Sequence, residues 1–294
     1  MAEYTPERLL EIVNQDTGGR GSPRVKAITG RIVSDLFRAI EDLDIQPEEF
    51  WAGVRWLNEV GQTGQFGLVT AGLGFDRLLD IRMDEADRNA GLALGTPRAI
   101  EGPLFIANAP LCEREARLDD GTTGGELMVM EGKVTDLRGK PAEGAIVHVW
   151  HANPEGRYSH FDPTQSEFNF RRRIKVGADG WYRFRSLMPS GYGVPPGSPT
   201  ERLLDLLGRH GRRPAHVHLM VEAPGHRLLT TQINIPGDTY IDDDFAFATR
   251  DGLIVDVLKV EDPKEITARN LEGPFSLIRF DIKMQSEKDT ATVI

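Results

Sequence analysis

Two histidines stand two residues apart in RPAHVHLMVE (213–222), a run whose remaining residues read as a buried β-strand. Side chains alternate faces along a strand, so His216 and His218 project together with Cα atoms about 6.5–7 Å apart, while Val217 and Leu219 face the other way. Two imidazoles so placed can grip one metal ion. They can equally be buried histidines hydrogen-bonded to neighbours, and the pair alone does not separate the two readings.

Three other segments are rich in groups that could coordinate or activate a ligand: VWHANPEGRYSHFDP (149–163), MPSGYGVPPG (188–197) and LTTQINIPGDTYIDDDFAFATR (229–250). They hold Tyr158, Tyr192 and Tyr240, three of only five tyrosines, each in a loop bordering a strand, where functional side chains are often displayed. Taken singly, a tyrosine is more often an aromatic plug with a satisfied hydroxyl than a ligand. The acidic run 242–244 reads as a solvated turn or helix start, and GRHGRRP (208–214) as a basic surface loop.

The elements that must position these groups differ in texture along the chain. From residue 5 to about 92 the apolar spacing is helical, through Leu9, Leu10 and Val13, then Val25, Ile28, Ile32, Leu36 and Ile40, then Phe50, Val54 and Leu57. Thr5–Pro6 and Ser22–Pro23 offer a capping side chain followed by proline at the first helical position. From about residue 104 the period changes to two, in GELMVMEGKVTD, GAIVHVWHA, GWYRFRSL, AHVHLMVEA, LLTTQINI, LIVDVLKV and FSLIRFDIKM. The expected fold is therefore mainly β with a helical N-terminal part: an α-helical region with its linker over 1–103 and an antiparallel β-sandwich over 104–294. The polar tail 285–294 is expected to be poorly ordered.

A chain of 294 residues can bury a substantial core, and its net charge of −10 argues against a phosphate-tracking nucleic-acid binder and against charge-driven attachment to anionic lipid. Cys112 is the only cysteine, which excludes an internal disulfide and fits a reducing cytoplasm. No apolar stretch has spanning length and the N-terminus lacks a signal pattern, so neither membrane insertion nor export is expected.

Read together, the phrases WHANPEGRYSHFDP, FRSLMPSGYGVPP, LLGRHGRRPAHVHL and TTQINIPGD resemble, in order and wording, the intradiol ring-cleaving dioxygenases, and among them the catechol-cleaving branch. The resemblance runs over most of the chain and implies one non-haem Fe(III) per subunit held by Tyr158, Tyr192, His216 and His218. It implies intradiol cleavage of catechol by dioxygen to cis,cis-muconate, in aromatic catabolism. Two tyrosinates and a hydroxide neutralise Fe(III), and so do a catecholate dianion and one tyrosinate. Substrate can thus displace hydroxide and Tyr192 without leaving net charge in a low-dielectric site, the displaced groups taking the catechol protons.

The same resemblance implies that Arg213 stabilises developing negative charge, that Gln232 makes a polar contact near the iron, and that Leu68, Ala71, Ile100, Pro103, Leu104, Phe245 and Ala246 line the substrate pocket. It further implies a homodimer through the N-terminal helices, whose interface can hold lipid. Three other readings stay open on the residues alone. The same chemistry could act on hydroxyquinol or chlorocatechols; a zinc or copper hydrolase could recruit His160 or Asp162 as third ligand; a β-sandwich binding module could use the histidines structurally.

Overall fold

The computed structural model of the chain describes residues 4–15 and 18–287, so most of the polar tail, 288–294, lies outside the described residues. The chain divides into two compact units, Met1–Thr63 and Gly64–Ile294.

The first unit holds helices α1 (Pro6–Val13), α2 (Pro23–Asp42) and α3 (Pro47–Gln62). Thr5 and Ser22 cap α1 and α2 as their sequence predicts: Arg8 N–H donates to Thr5 Oγ1 at 3.2 Å and Val25 N–H to Ser22 Oγ at 3.4 Å, each ahead of a proline that opens the helix. Along α2, Val25, Ile28, Ile32 and Leu36 form an exposed apolar stripe at helical spacing.

The second unit opens with α4 (Phe66–Gly72) and α5 (Phe75–Asn89). Asp80, Asp84 and Asp87 lie on one face of α5 and are buried, an arrangement that needs counter-charges. Asp87 accepts from Arg98 (2.8 Å) and Arg227 (2.9 Å), and Asp84 from Arg250 (2.6 Å), which ties α5 to the β-rich part.

The strands are β1 (Leu111–Glu113), β2 (Glu115–Arg117), β3 (Leu127–Asp136), β4 (Ile146–His151), β5 (Arg171–Lys175), β6 (Trp181–Leu187), β7 (Tyr192–Gly193), β8 (Arg212–Arg213), β9 (His216–Glu222), β10 (Leu229–Asn234), β11 (Val257–Val260), β12 (Phe275–Arg279) and β13 (Ile282–Met284), with α6 (Pro199–Leu206) between β7 and β8 and α7 (Pro263–Ala268) between β11 and β12. One sheet has the order β1-β5-β4-β9-β10 and the other β11-β12-β3-β6-β2, with β13 continuing beside β3. Alternate residues of both sheets, Val147, Val217, Leu219 and Ile233 from one and Met130, Tyr182, Phe184 and Ile278 from the other, bury into a shared core. That is the sandwich the period-two runs predict.

The central pairings β5-β4-β9-β10 and β3-β6 are antiparallel, whereas β1–β5, β2–β6, β12–β3 and β13–β3 are parallel. These parallel partners are joined by long crossovers rather than hairpins, which is what parallel pairing requires. Strand β5, RRRIK, carries no period-two apolar signal because four of its five residues are cationic. Its Arg171 is nonetheless fully buried.

Candidate metal centre

Strand β9 keeps the predicted alternation: Val217, Leu219 and Val221 enter the core, and His216 and His218 point to the other face of the sheet. The neighbouring strands complete that face, for Trp150 of β4 and Gln232 of β10 both lie in register with His218. Tyr158 arrives on the loop after β4, folded by Asn153, whose Oδ1 accepts from Glu155 N–H (3.0 Å) and Arg157 N–H (2.8 Å). Tyr192 arrives on β7, which pairs Tyr192 with Arg213 of β8. The two tyrosine loops meet at Gly156, where a Cβ would stand 2.9 Å from the Gly191 carbonyl oxygen and 3.1 Å from Tyr192 Cβ.

Four side chains thereby converge. His216 Nε2 lies 3.1 Å from His218 Nε2 and 3.5 Å from the Tyr158 hydroxyl, and the Tyr192 ring sits 5.5 Å from His216 and 5.3 Å from Tyr158 between centroids. Two imidazole nitrogens each about 2.0–2.1 Å from one ion, at right angles, would stand about 3 Å apart, so the observed pair already has the separation of adjacent ligands. His216 Nδ1 is 2.6 Å from the Pro214 carbonyl, an acceptor, so the proton belongs on Nδ1 and the Nε2 lone pair faces the cluster. Among the described residues no group of three His, Cys, Asp or Glu could hold a metal, so the hydrolase arrangement with His160 or Asp162 is not assembled there; a four-donor set needs the phenols.

Burial governs the charges. Desolvation, reinforced by Arg213, lowers the His216 pKa to about 3, and desolvation with its neighbour His216 takes His218 well below the usual histidine value, so both rings are neutral donors. Burial and the adjacent Tyr192 push the Tyr158 phenol well above its ordinary value. A phenolate there calls for a strong cation, and a multivalent metal is one.

Arg213 is 3% exposed and held from two sides: its Nε and Nη2 donate to the Asp244 carboxylate at 3.1 Å each, and its Nη2 donates to Gln232 Oε1 at 2.8 Å. Its Nη1 is 3.1 Å from His216 Nε2. Although burial opposes its charge, Asp244 more than compensates and the guanidinium pKa is raised. Asp244 corrects the reading of 242–244 as a solvated turn, since it is buried with its carboxylate on Arg213, and the basic loop 208–214 is likewise not all surface. Gln232 reaches the cluster by orienting Arg213. Tyr240 joins His210 instead, ring centroids 4.8 Å apart, and with Tyr192 and Arg213 lines a cavity of about 270 Å³.

Residues 100–286 match the family described as Dioxygenase, and residues 22–91 match the Catechol dioxygenase N terminus. The chain belongs to the catechol dioxygenase family. Catechol 1,2-dioxygenase 2 of Acinetobacter lwoffii is 56% identical to it over 261 residues, 89% of this chain and 95% of that protein. The crystal structure of catechol 1,2-dioxygenase from Pseudomonas arvilla C-1 matches with a TM-score of 0.92 at 49% identity, covering 99% of this chain and 96% of that one. Hydroxyquinol 1,2-dioxygenase of Rhizobium sp. (strain MTP-10005) is more distant, 33% identical over 88% of each chain.

In this family member the apolar residues singled out from the sequence lie in two neighbouring groups. Leu68, Ala71, Ile100, Phe245 and Ala246 pack in one cluster, and Leu104 packs with Trp150, Tyr158 and Tyr192 in another. Pro103 closes on α4, where a Cβ at Gly67 would be 3.0 Å from its own Cβ. Two functional neighbours carried no readable signal. Trp150 stacks on His218, and Arg171 donates to the Leu104 carbonyl (2.7 Å) and Ser159 Oγ (2.9 Å) while lying 5.6 Å from the centre of the Tyr158 ring. A lone tryptophan in VWH and a cationic RRR run name no partner until strands pair.

Proposed function

We propose that the protein cleaves catechol between its two hydroxyl-bearing carbons with dioxygen, giving cis,cis-muconate, at a non-haem Fe(III) held by Tyr158, Tyr192, His216 and His218, one per subunit. The observation that carries this reading is the convergence of the two Nε2 atoms, 3.1 Å apart, with the Tyr158 hydroxyl and the Tyr192 ring in one buried cluster. Neutral nitrogens with hard phenolate oxygens are a donor set that suits a ferric ion. When bound, the ion supplies the charge that lets phenols and a chelated diol ionise near neutral pH.

The chain's own residues do the rest. The Pro214 carbonyl holds the His216 tautomer. Tyr192 is the residue whose phenolate Oη would receive a catechol proton and become a neutral phenol, because it is less enclosed than Tyr158 and rides on a two-residue strand. Arg213, locked by Asp244 and Gln232, presents a fixed positive charge to the electron-rich ring, and fixed donors need no rearrangement as charge develops. Leu68, Ala71, Ile100, Pro103, Leu104, Phe245 and Ala246 form an apolar wall, and the arginines that touch it, Arg171 and Arg209, are turned to the Leu104 and Phe245 carbonyls, which favours an uncarboxylated diol. In this reading residues 104–294 carry the chemistry, in the cytoplasm, and the helical region within 1–103 assembles a homodimer, its exposed α2 stripe being apolar enough to bury against a second copy or lipid. Among the described residues no helix is long and apolar enough to cross a membrane.

The test is a visible spectrum of the purified iron-loaded protein before and after anaerobic catechol, followed by oxygen uptake and product identification. A tyrosinate-to-iron band that shifts on catechol, with muconate formed, is expected. A colourless protein, a product cleaved outside the diol, or full activity in Tyr158→Phe/Tyr192→Phe would overturn it. Comparing kcat/KM for catechol, hydroxyquinol and chlorocatechols fixes the diol.

A further inference from the structure

The face of the second sheet turned away from the shared core gathers arginines. Strand β6 alternates Tyr182 and Phe184, which enter the core, with Arg183 and Arg185, which do not. Parallel pairing sets Glu115 of β2 beside Arg183 and Arg117 beside Arg185. Like charges directly opposite on adjacent strands repel, and Asp119, 2.7 Å from Arg117, offsets one member of the pair and leaves Arg185 the other. Together with Arg269 these arginines line a cavity of about 280 Å³, floored by Val129 and Leu271.

Most of the nearby carboxylates are already paired, and Glu272, next to Leu271, acts on Arg117 as well. Arg183 pairs with Glu115 (2.6 Å), Arg117 with Asp119 (2.7 Å), and Arg269 with Glu131 (3.5 Å) and Glu265. The Arg185 side chain has no partner among the described residues although it is half-buried, and the Nε of Arg269 is buried without an acceptor. Glu115, Asp119, Glu131 and Glu265 match the four arginines in number, so what the cavity offers is not excess charge but one unpartnered guanidinium, that of Arg185, beside apolar side chains. Val129, 1% exposed, and Leu271, 9% exposed, belong to a small apolar cluster that would take the hydrocarbon part of a ligand. A planar guanidinium matches a carboxylate with two parallel hydrogen bonds.

We infer that this cavity is a second binding site, for a small organic carboxylate, with Arg185 as its anchor. On the reading proposed above, the reaction converts a diol that is uncharged at neutral pH into a dicarboxylate, so the site would accept product and ignore substrate.

The test is calorimetric titration of the iron-loaded protein, at fixed ionic strength, with cis,cis-muconate, succinate, inorganic phosphate and, anaerobically, catechol. Saturable binding of muconate at one site outside the metal centre is expected, weakened at least about tenfold by Arg185→Gln and less by Arg185→Lys, with catechol turnover unchanged in both variants. Loss of succinate binding in the same variant also supports a carboxylate site. Undiminished muconate affinity in Arg185→Gln, no saturable binding, or phosphate binding as tightly as either carboxylate would overturn it. Arg185-dependent carboxylate binding by a protein that consumes no oxygen with catechol would leave the site standing and remove the proposed reaction.

Discussion

The indole of Trp150 lies flat on the imidazole of His218, ring centroids 4.8 Å apart and planes 4° from parallel. Strand register places them side by side, and Gln232 lies across His218 on its other flank. Among the described residues His218 Nδ1 has no hydrogen-bond partner, so on that side of the ring stacking does the positioning. Trp150→Ala is therefore expected to lose about 3–5 kcal/mol of stability and to lower metal content, while Trp150→Phe keeps a ring in place and retains the metal. Denaturant unfolding and metal analysis check this; equal metal content in both variants counts against stacking as the positioning force.

Asp244 matters through Arg213. Removing its charge leaves a fully buried guanidinium without a counter-ion, and breaking a buried pair from one side costs about 3–5 kcal/mol. Asp244→Asn should destabilise the protein on that scale and lower kcat more than it raises KM, because Arg213 would lose its aim. Denaturation and steady-state oxygen uptake read both effects. Unchanged stability would mean that the charge of Arg213 is balanced elsewhere.

Buried histidines predict a stability profile in pH. His151 is fully buried between Ser186 Oγ (2.8 Å) and the Ala152 carbonyl (2.7 Å), and desolvation lowers its pKa to about 4. The unfolded chain binds a proton near pH 6.5 that the folded chain does not, so stability is full above that pH and falls as pH drops from about 6.5 towards 4, by about 1.4 kcal/mol per pH unit. His151→Gln should flatten part of that slope in denaturation curves taken across the window. A slope identical to that of the parent would remove His151 from the account.

The α2 stripe supplies a prediction about assembly. Placing charges on it, as in Ile32→Glu with Leu36→Glu, should turn the dimer proposed above into a monomer by sedimentation while turnover per chain is kept, since neither residue belongs to the proposed catalytic cluster. A variant that stays dimeric would move the interface away from α2.

Much of this was legible in residue order. The caps at Thr5 and Ser22, the helical spacing up to α3 and the alternation in β9 follow from local rules, because capping and periodicity depend on residues a few positions apart. Leu253–Val260 and Phe275–Met284 were readable as β, but each is shorter or broken: in the first, Val257–Val260 forms a strand and Ile254 only an isolated bridge to Asn234, and the second splits into β12 and β13. Leu253, Val255 and Phe280 enter the core without belonging to a strand, so hydrophobic content overstates strand length.

What the chain determined alone was the donor chemistry: two histidines on one strand face, tyrosines in flanking loops, and an arginine three residues before His216. What only the tertiary structure decided was the partnership of residues far apart in sequence. Asp244 turned from a solvent-facing acid into the counter-ion of Arg213, Trp150 found His218 through strand register, and Arg171 was buried beside Tyr158 from a run too cationic to be read as a strand. Charge and burial are properties of a neighbourhood, and that neighbourhood exists only once the strands are paired.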